Sequence, residues 1–220
     1  MSLSKRDLLG AATLAAGAGL IAPARALADK LPRTLPMALG PFYPVEKPLE
    51  DDADLTRLAG HKARAKGQVL DLTGRVLDRD GTPVAGARIE LWQANAAGRY
   101  AHHGDTHDAP LDPDFQGYAV QTTGPDGRFR FLTIKPGAYP AGDYMRAAHI
   151  HFDVAGKYDR LVTQMYFPGD PLLKQDQTLT QDLTGYKGMP DRIFGRLQAG
   201  ASTADPGASL CLFDIVLSDG

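Results

Sequence analysis

The sequence predicts an all-β protein with an immunoglobulin-like β-sandwich core, long loops and an irregular N-terminal arm. Short runs such as QVLDLTGRVLD at 68–78 and ARIELWQAN at 87–95 alternate apolar and polar residues with the period of two that a half-buried strand requires. Between the runs fall 24 glycines and 16 prolines, which interrupt helices and supply turns. A chain of 220 residues can bury a core that needs no disulfide staples. None can form within the chain, because Cys211 is the only cysteine, and its place in SLCLFDIVL reads as a small buried hydrophobe.

Three segments follow one another. Residues 1–28 carry Lys5-Arg6, an apolar small-residue run from Leu8 to Ala22, and Ala26-Leu27-Ala28 as a cleavage site, the pattern of an export signal peptide. SKRDLLG resembles a twin-arginine signal with Lys5 in place of the first arginine. The protein is therefore expected to be periplasmic or extracellular, with no stable membrane association after cleavage. Residues 29–66 form the N-terminal arm, interrupted by Pro32, Pro36, Pro41, Pro44 and Pro48, with a single helical turn expected after Asp51-Asp52. Within it, GPFYP at 40–44 offers Phe42 and Tyr43 as packing bodies between rigid prolines.

Residues 67–220 form the sandwich. QVLDLTGRVLD and ARIELWQAN make a hairpin-like pair with Asp80-Gly81 at the reversal. A long loop follows, bearing Tyr100, His102, His103 and His107; the three histidines lack the fixed geometry of a strand and are expected to be solvated or to line a site. A turn from Gly124 to Gly127, a strand through Phe129 and Phe131, and a proline-framed turn presenting Tyr139 come next. KYDRLVTQMYFPGD supplies a strand, 171–206 is polar and turn-rich with one short helix, and SLCLFDIVLSDG is the closing strand.

The balance of 24 Lys and Arg against 26 Asp and Glu offers no basic field for nucleic acid or anionic lipid, so neither is an expected partner. Chemistry concentrates instead in YPAGDYMRAAHIH at 139–151. In a strand, His149 and His151 share one face while Ile150 points to the other, which makes a two-point metal claw; two solvent-exposed histidines would give the same pattern. Tyrosine changes the balance. Phenolate is a hard anionic donor that forms at neutral pH only beside a strong Lewis acid, and Fe(III) suits it best.

LTGRVLDRDGTPVAGARIELWQANAAGRY, FQGYAVQTTGPDGRFRFLTIKPGAYP, RAAHIHFDVAG and LVTQMYFPGD together resemble the intradiol ring-cleavage dioxygenases over residues 67–170. Within that family WQANAAGRY, APLDPDF and TIKPGAYP are most like the iron-bearing β subunits of protocatechuate 3,4-dioxygenases. The resemblance implies a mononuclear non-haem Fe(3+) held by Tyr100, Tyr139, His149 and His151. It further implies a catechol-type aromatic substrate, bound as a dianion while Tyr139 leaves the metal and takes a proton. O2 then opens the ring between its two hydroxyl-bearing carbons to give a cis,cis-muconate. Arg146 would sit over the ring and stabilise developing negative charge, with Gln164 beside it as a lesser catalytic candidate.

Ala141-Gly142 stand where protocatechuate enzymes usually carry a tryptophan, and the link from Tyr139 to His149 is shorter, so a more open pocket wall is expected. A homo-oligomer is expected, with a partner subunit open, because two-subunit relatives complete the pocket from a second chain. Two other readings compete: a non-enzymatic exported immunoglobulin-like binding module, and a zinc hydrolase on the histidine pair. The first has no use for this four-residue set, and catalytic zinc rarely takes phenolate.

Overall fold

The computed structural model describes residues 29–187, 190–203 and 205–219. The expected leader at 1–28 lies outside them. Among the described residues no helix is long and apolar enough to cross a membrane.

Strands β1 (Val69–Leu77), β4 (Arg128–Ile134), β9 (Arg196–Ala201), β10 (Ser209–Leu212) and β11 (Ile215–Val216) form the first sheet. In it β1 runs antiparallel to β4 on one side and parallel to β10 and then β11 on the other. The second sheet is antiparallel, in the order β3 (Tyr118–Thr122), β2 (Arg88–Trp92), β7 (His149–Ala155) and β8 (Arg160–Tyr166). A small hairpin joins β5 (Tyr139–Ala141) to β6 (Tyr144–Arg146). The all-β sandwich anticipated from the sequence is the observed architecture.

Alternation along each strand builds the core. Leu70 and Leu72 of β1 and Phe129 and Phe131 of β4 cluster with Ile89 and Leu91 of β2 and Ile150, Phe152 and Val154 of β7. All are buried, and each such side chain contributes about 1.5–3 kcal/mol. Gly74 lets the closing segment approach β1, since a Cβ there would lie 1.9 Å from the Phe213 carbonyl oxygen.

Four local expectations are corrected. The reversal at Asp80-Gly81 forms, with Asp78 Oδ1 accepting the Asp80 and Thr82 amides, but the pairing stops near Val84. Beyond it β2 joins the other sheet, because the apolar faces of β1 and β2 must meet across the core. No helical turn follows Asp51-Asp52; Asp52 and Asp54 accept backbone amides two residues on, and that local bonding competes with helix. The closing run is two strands, β10 and β11, broken where Asp214 Oδ1 accepts the Arg75 amide. Within 171–206, helix α1 (Gln177–Asp182) is the short helix foreseen, but β9 also lies there, unannounced by any long apolar alternation.

On the second sheet, inward residues supply the core and outward residues supply polar chemistry. Glu90, Trp92, His149, His151, Gln164 and Tyr166 alternate with core residues, yet all are buried. Their cover is the N-terminal arm, which docks by Met37 N–H to the Val162 carbonyl at 3.0 Å, Thr163 Oγ1–H to the Leu35 carbonyl at 2.7 Å, and Gln164 Nε2–H to the Ala38 carbonyl at 2.6 Å.

Candidate active site

Strand β7 sets the two imidazoles side by side, as alternation requires, with Nε2 atoms 3.1 Å apart. His149 Nδ1–H donates to the Ala147 carbonyl at 2.6 Å, which leaves Nε2 as the atom with a free lone pair. Burial, then the Arg146 charge, holds His149 down at about 3, and burial with His149 holds His151 well below its usual value. Both rings are therefore neutral, the form in which imidazole can bind a metal. His151 stacks on Trp92 at 4.8 Å and 10°, which fixes its plane, while its Nδ1 is buried without a partner among the described residues.

Tyr139 opens β5 with its hydroxyl 3.5 Å from His149 Nε2 and 3.3 Å from Arg146 Nη1, which donates to it. Tyr100 lies edge-on to it at 5.3 Å, placed by its own amide donating to Asp105 Oδ2. The Tyr100 hydroxyl is buried and has no hydrogen-bond partner among the described residues, a costly state for a polar group. Burial pushes the Tyr100 phenol well up, reinforced by Tyr139; burial also raises Tyr139, with Arg146 pulling the other way. Phenols so placed ionise only against a strong cation.

The arrangement fits a metal. Two donors about 2.1 Å from one cation and at right angles stand about 3 Å apart, near the separations above. Among the described residues no three His, Cys, Asp or Glu side chains gather as a metal site, and the oxygen beside the histidine pair is the Tyr139 hydroxyl. The structure thus brings together the four side chains singled out in the sequence.

Arg146, at the end of β6, is buried and fully engaged. Its Nε bonds both oxygens of Asp176 at 3.0 Å, and its Nη2 donates to Gln164 Oε1 at 2.8 Å and to Tyr166 Oη at 2.9 Å. It sits 5.9 Å from the Tyr139 ring centre, beside a cavity of about 560 Å³ that Phe42, His107, Tyr139, Ala141 and Tyr144 also line. Gln164 is second to Arg146, holding its fork and tying the arm. His102 and His103 stack on one another at 4.4 Å and line a separate cavity behind Tyr100.

Several site residues escape a reading of the sequence alone. Asp176 is one, although an Asp ahead of QTL is a helix N-cap pattern. Tyr166 carries no local mark at all. Phe42, foreseen as a packing body, lies 4.8 Å from the Tyr100 ring and 5.8 Å from that of Tyr139.

Comparison with known proteins agrees with this geometry. A family model described as a dioxygenase, Dioxygenase_C, matches residues 39–219. The chain is 48% identical over 185 residues to a protocatechuate 3,4-dioxygenase beta chain of Burkholderia cepacia, covering 80% of this chain and 76% of that one. It is 37% identical over 153 residues to a hydroxyquinol 1,2-dioxygenase of Rhizobium sp. (strain MTP-10005), covering 63% of this chain but only 49% of the relative. Among solved structures, the dioxygenase domain of a dioxygenase carbohydrate-binding protein fusion from Streptomyces sp. SirexAA-E superposes with a TM-score of 0.64. That match is 25% identical and covers 86% of this chain and all of that one. The catechol 1,2-dioxygenase of Pseudomonas arvilla C-1 gives 0.62 at 27% identity, over 87% and 63% of the two chains. The chain belongs to the intradiol ring-cleavage dioxygenase family.

Proposed function

We propose that this chain is an exported, iron-dependent enzyme that opens a catechol ring between its two hydroxyl-bearing carbons. Both atoms of O2 enter the product, a cis,cis-muconate, and protocatechuate is the first substrate to test. The observation that carries this reading is the convergence of Tyr100, Tyr139, His149 and His151, with the buried Tyr100 hydroxyl left without a partner among the described residues.

These four side chains would hold Fe(III). When bound, it would supply the Lewis acidity that ionises phenols, those of the tyrosines and of a catechol alike. The remaining chemistry belongs to the chain. Tyr139 takes a proton at its phenol oxygen as the substrate binds, and the adjacent Arg146 Nη1–H steadies that oxygen in either state. Arg146 offers a fixed positive charge to the ring as it becomes electron-rich, and Gln164 and Tyr166 prevent the fork from turning away. Phe42 and the arm exclude water from the two tyrosines.

The arm contributes Ala38, Gly40, Pro41 and Phe42 to the cavity, so this chain supplies that wall itself. A homo-oligomer therefore suffices in this reading, although the Burkholderia relative is named as a beta chain. The leader at 1–28 would deliver the protein to the periplasm or beyond.

A visible spectrum with iron analysis tests the proposal. The purified protein is expected to be red-brown, with iron at about one per chain, and to change colour anaerobically on adding protocatechuate or catechol. A folded protein that is colourless, iron-free after iron is supplied, and inert toward catechols overturns it.

A further inference from the structure

Of the histidines on the loop between β2 and β3, only His107 faces the cavity that holds Tyr139 and Arg146. It is held there. His107 Nδ1–H donates to Asp105 Oδ1 at 2.6 Å, and Asp105 is a buried carboxylate whose Oδ2 accepts the Tyr100 amide at 2.8 Å. The imidazole is thereby anchored to the backbone of a residue in the proposed metal set.

Two large polar side chains beside it in this cavity are already engaged. Arg146 spends its Nε, Nη1 and Nη2 on Asp176, Tyr139, Gln164 and Tyr166, and the Tyr144 hydroxyl is paired with Thr178 Oγ1 at 2.5 Å. His107 Nε2 has no hydrogen-bond partner among the described residues, and the His107 side chain is only 20% exposed. A ring nitrogen without a partner, on an imidazole held by a buried carboxylate, is suited to meeting a polar atom of the ligand. Opposite, Ala141 and Gly142 leave the wall open; a Cβ on Gly142 would meet nothing within 4 Å. The cavity thus has room for a substituted ring, with His107 Nε2 available to read its substituent.

Resting on the ring-cleavage reading above, we propose that His107, oriented by Asp105, hydrogen-bonds an oxygen substituent on the bound catechol ring and thereby sets the preference among catechols. The shared chemistry is a ring-borne oxygen, either a carboxylate or a third hydroxyl. No bond is made or broken in this contact; it discriminates by leaving Nε2 partnered or not.

The test compares the unmodified enzyme with His107→Leu and His107→Gln on four substrates: protocatechuate, hydroxyquinol, catechol and 4-methylcatechol. For His107→Leu, the ratio of kcat/KM for an oxygen-substituted ring to that for catechol is expected to fall about tenfold or more, mainly through KM. His107→Gln should recover part of the loss, because an amide still offers a polar end. A fall confined to protocatechuate identifies the carboxylate, and one confined to hydroxyquinol identifies the hydroxyl; either supports the proposal. A ratio unchanged for both, or a loss shared equally with catechol and 4-methylcatechol, overturns it. Binding is read separately from turnover through quenching of Trp92, the only tryptophan, which stacks on His151. If no ring is cleaved but His107→Leu selectively weakens binding of an oxygen-substituted ring, the cleavage reading fails and the recognition role stands. Cleavage without that selectivity upholds the ring-cleavage reading and overturns the role of His107.

Discussion

Asp176 grips Arg146 with both carboxylate oxygens, each 3.0 Å from Nε, and both side chains are buried. The same carboxylate accepts the Leu179 amide as the N-cap of α1 and the Ala147 amide just ahead of β7. One acidic group therefore joins the helix, the histidine strand and the arginine beside the tyrosines. Removing it strands a buried guanidinium and uncaps the helix, so Asp176→Ala is expected to cost about 3–5 kcal/mol of stability. Urea unfolding of the two proteins measures this, and a change under about 1 kcal/mol would mean that Arg146 finds another partner.

Arg146→Ala separates charge from metal binding. The substitution leaves Tyr100, Tyr139, His149 and His151 untouched, so iron content should hold while turnover falls about a hundredfold, the scale for losing one preorganised charge-stabilising group. Steady-state kinetics beside metal analysis checks it. Full turnover would remove Arg146 from the chemistry.

The two tyrosines should behave differently. Tyr139 is within reach of Arg146 and His149, whereas the Tyr100 hydroxyl has no hydrogen-bond partner among the described residues. Tyr139→Phe should retain iron with a weaker, shifted visible band, and should slow substrate binding and turnover by about 10² to 10⁴, the range for losing a positioned base. Anaerobic stopped-flow mixing with catechol decides. A selective binding defect in Tyr100→Phe instead would reverse the assignment.

Gly40 lets the arm pass over the site. It sits at φ +78°, and a Cβ there would approach His151 Cε1 to 3.1 Å. Gly40→Val combines backbone strain with pressure on a proposed ligand, so thermal stability and iron retention should fall together. Retention equal to the unmodified protein would show that the arm can shift without disturbing His151.

Glu90 fastens that arm to β2. Its carboxylate accepts Tyr43 and Tyr118 hydroxyls at 2.7 and 2.8 Å and Lys47 at 2.7 Å, and pairs with Arg88. Burial acts to raise its pKa, but these partners outweigh it and bring it from 4.5 to about 2. A carboxylate depressed in the folded state adds stability above its unfolded value and loses it as pH falls through the folded one. The melting-temperature gap between the protein and Glu90→Gln should therefore be full above pH 4.5 and shrink toward pH 2. A gap constant across that window would assign the effect to packing.

Local sequence by itself determined the strands with clear apolar alternation and the pairing of functional side chains along them, while β9 and the break in the closing run stayed hidden. HIHFDVA puts Ile150, Phe152 and Val154 toward the core and His149 and His151 away from it, because the period of two is a property of the extended backbone. Arg146 and Tyr139 were singled out through the family resemblance, and only the structure shows that they meet across the β5–β6 hairpin. Only the tertiary structure decided that β1 and β2 belong to opposite sheets, that the outward face of β7 is buried, and what buries it. Those outcomes rest on contacts between distant residues, such as Arg146 with Asp176 at a separation of 30 and Gln164 with Ala38 at 126. Such pairs leave no local period, because they form where whole surfaces pack and every buried polar group must find a partner.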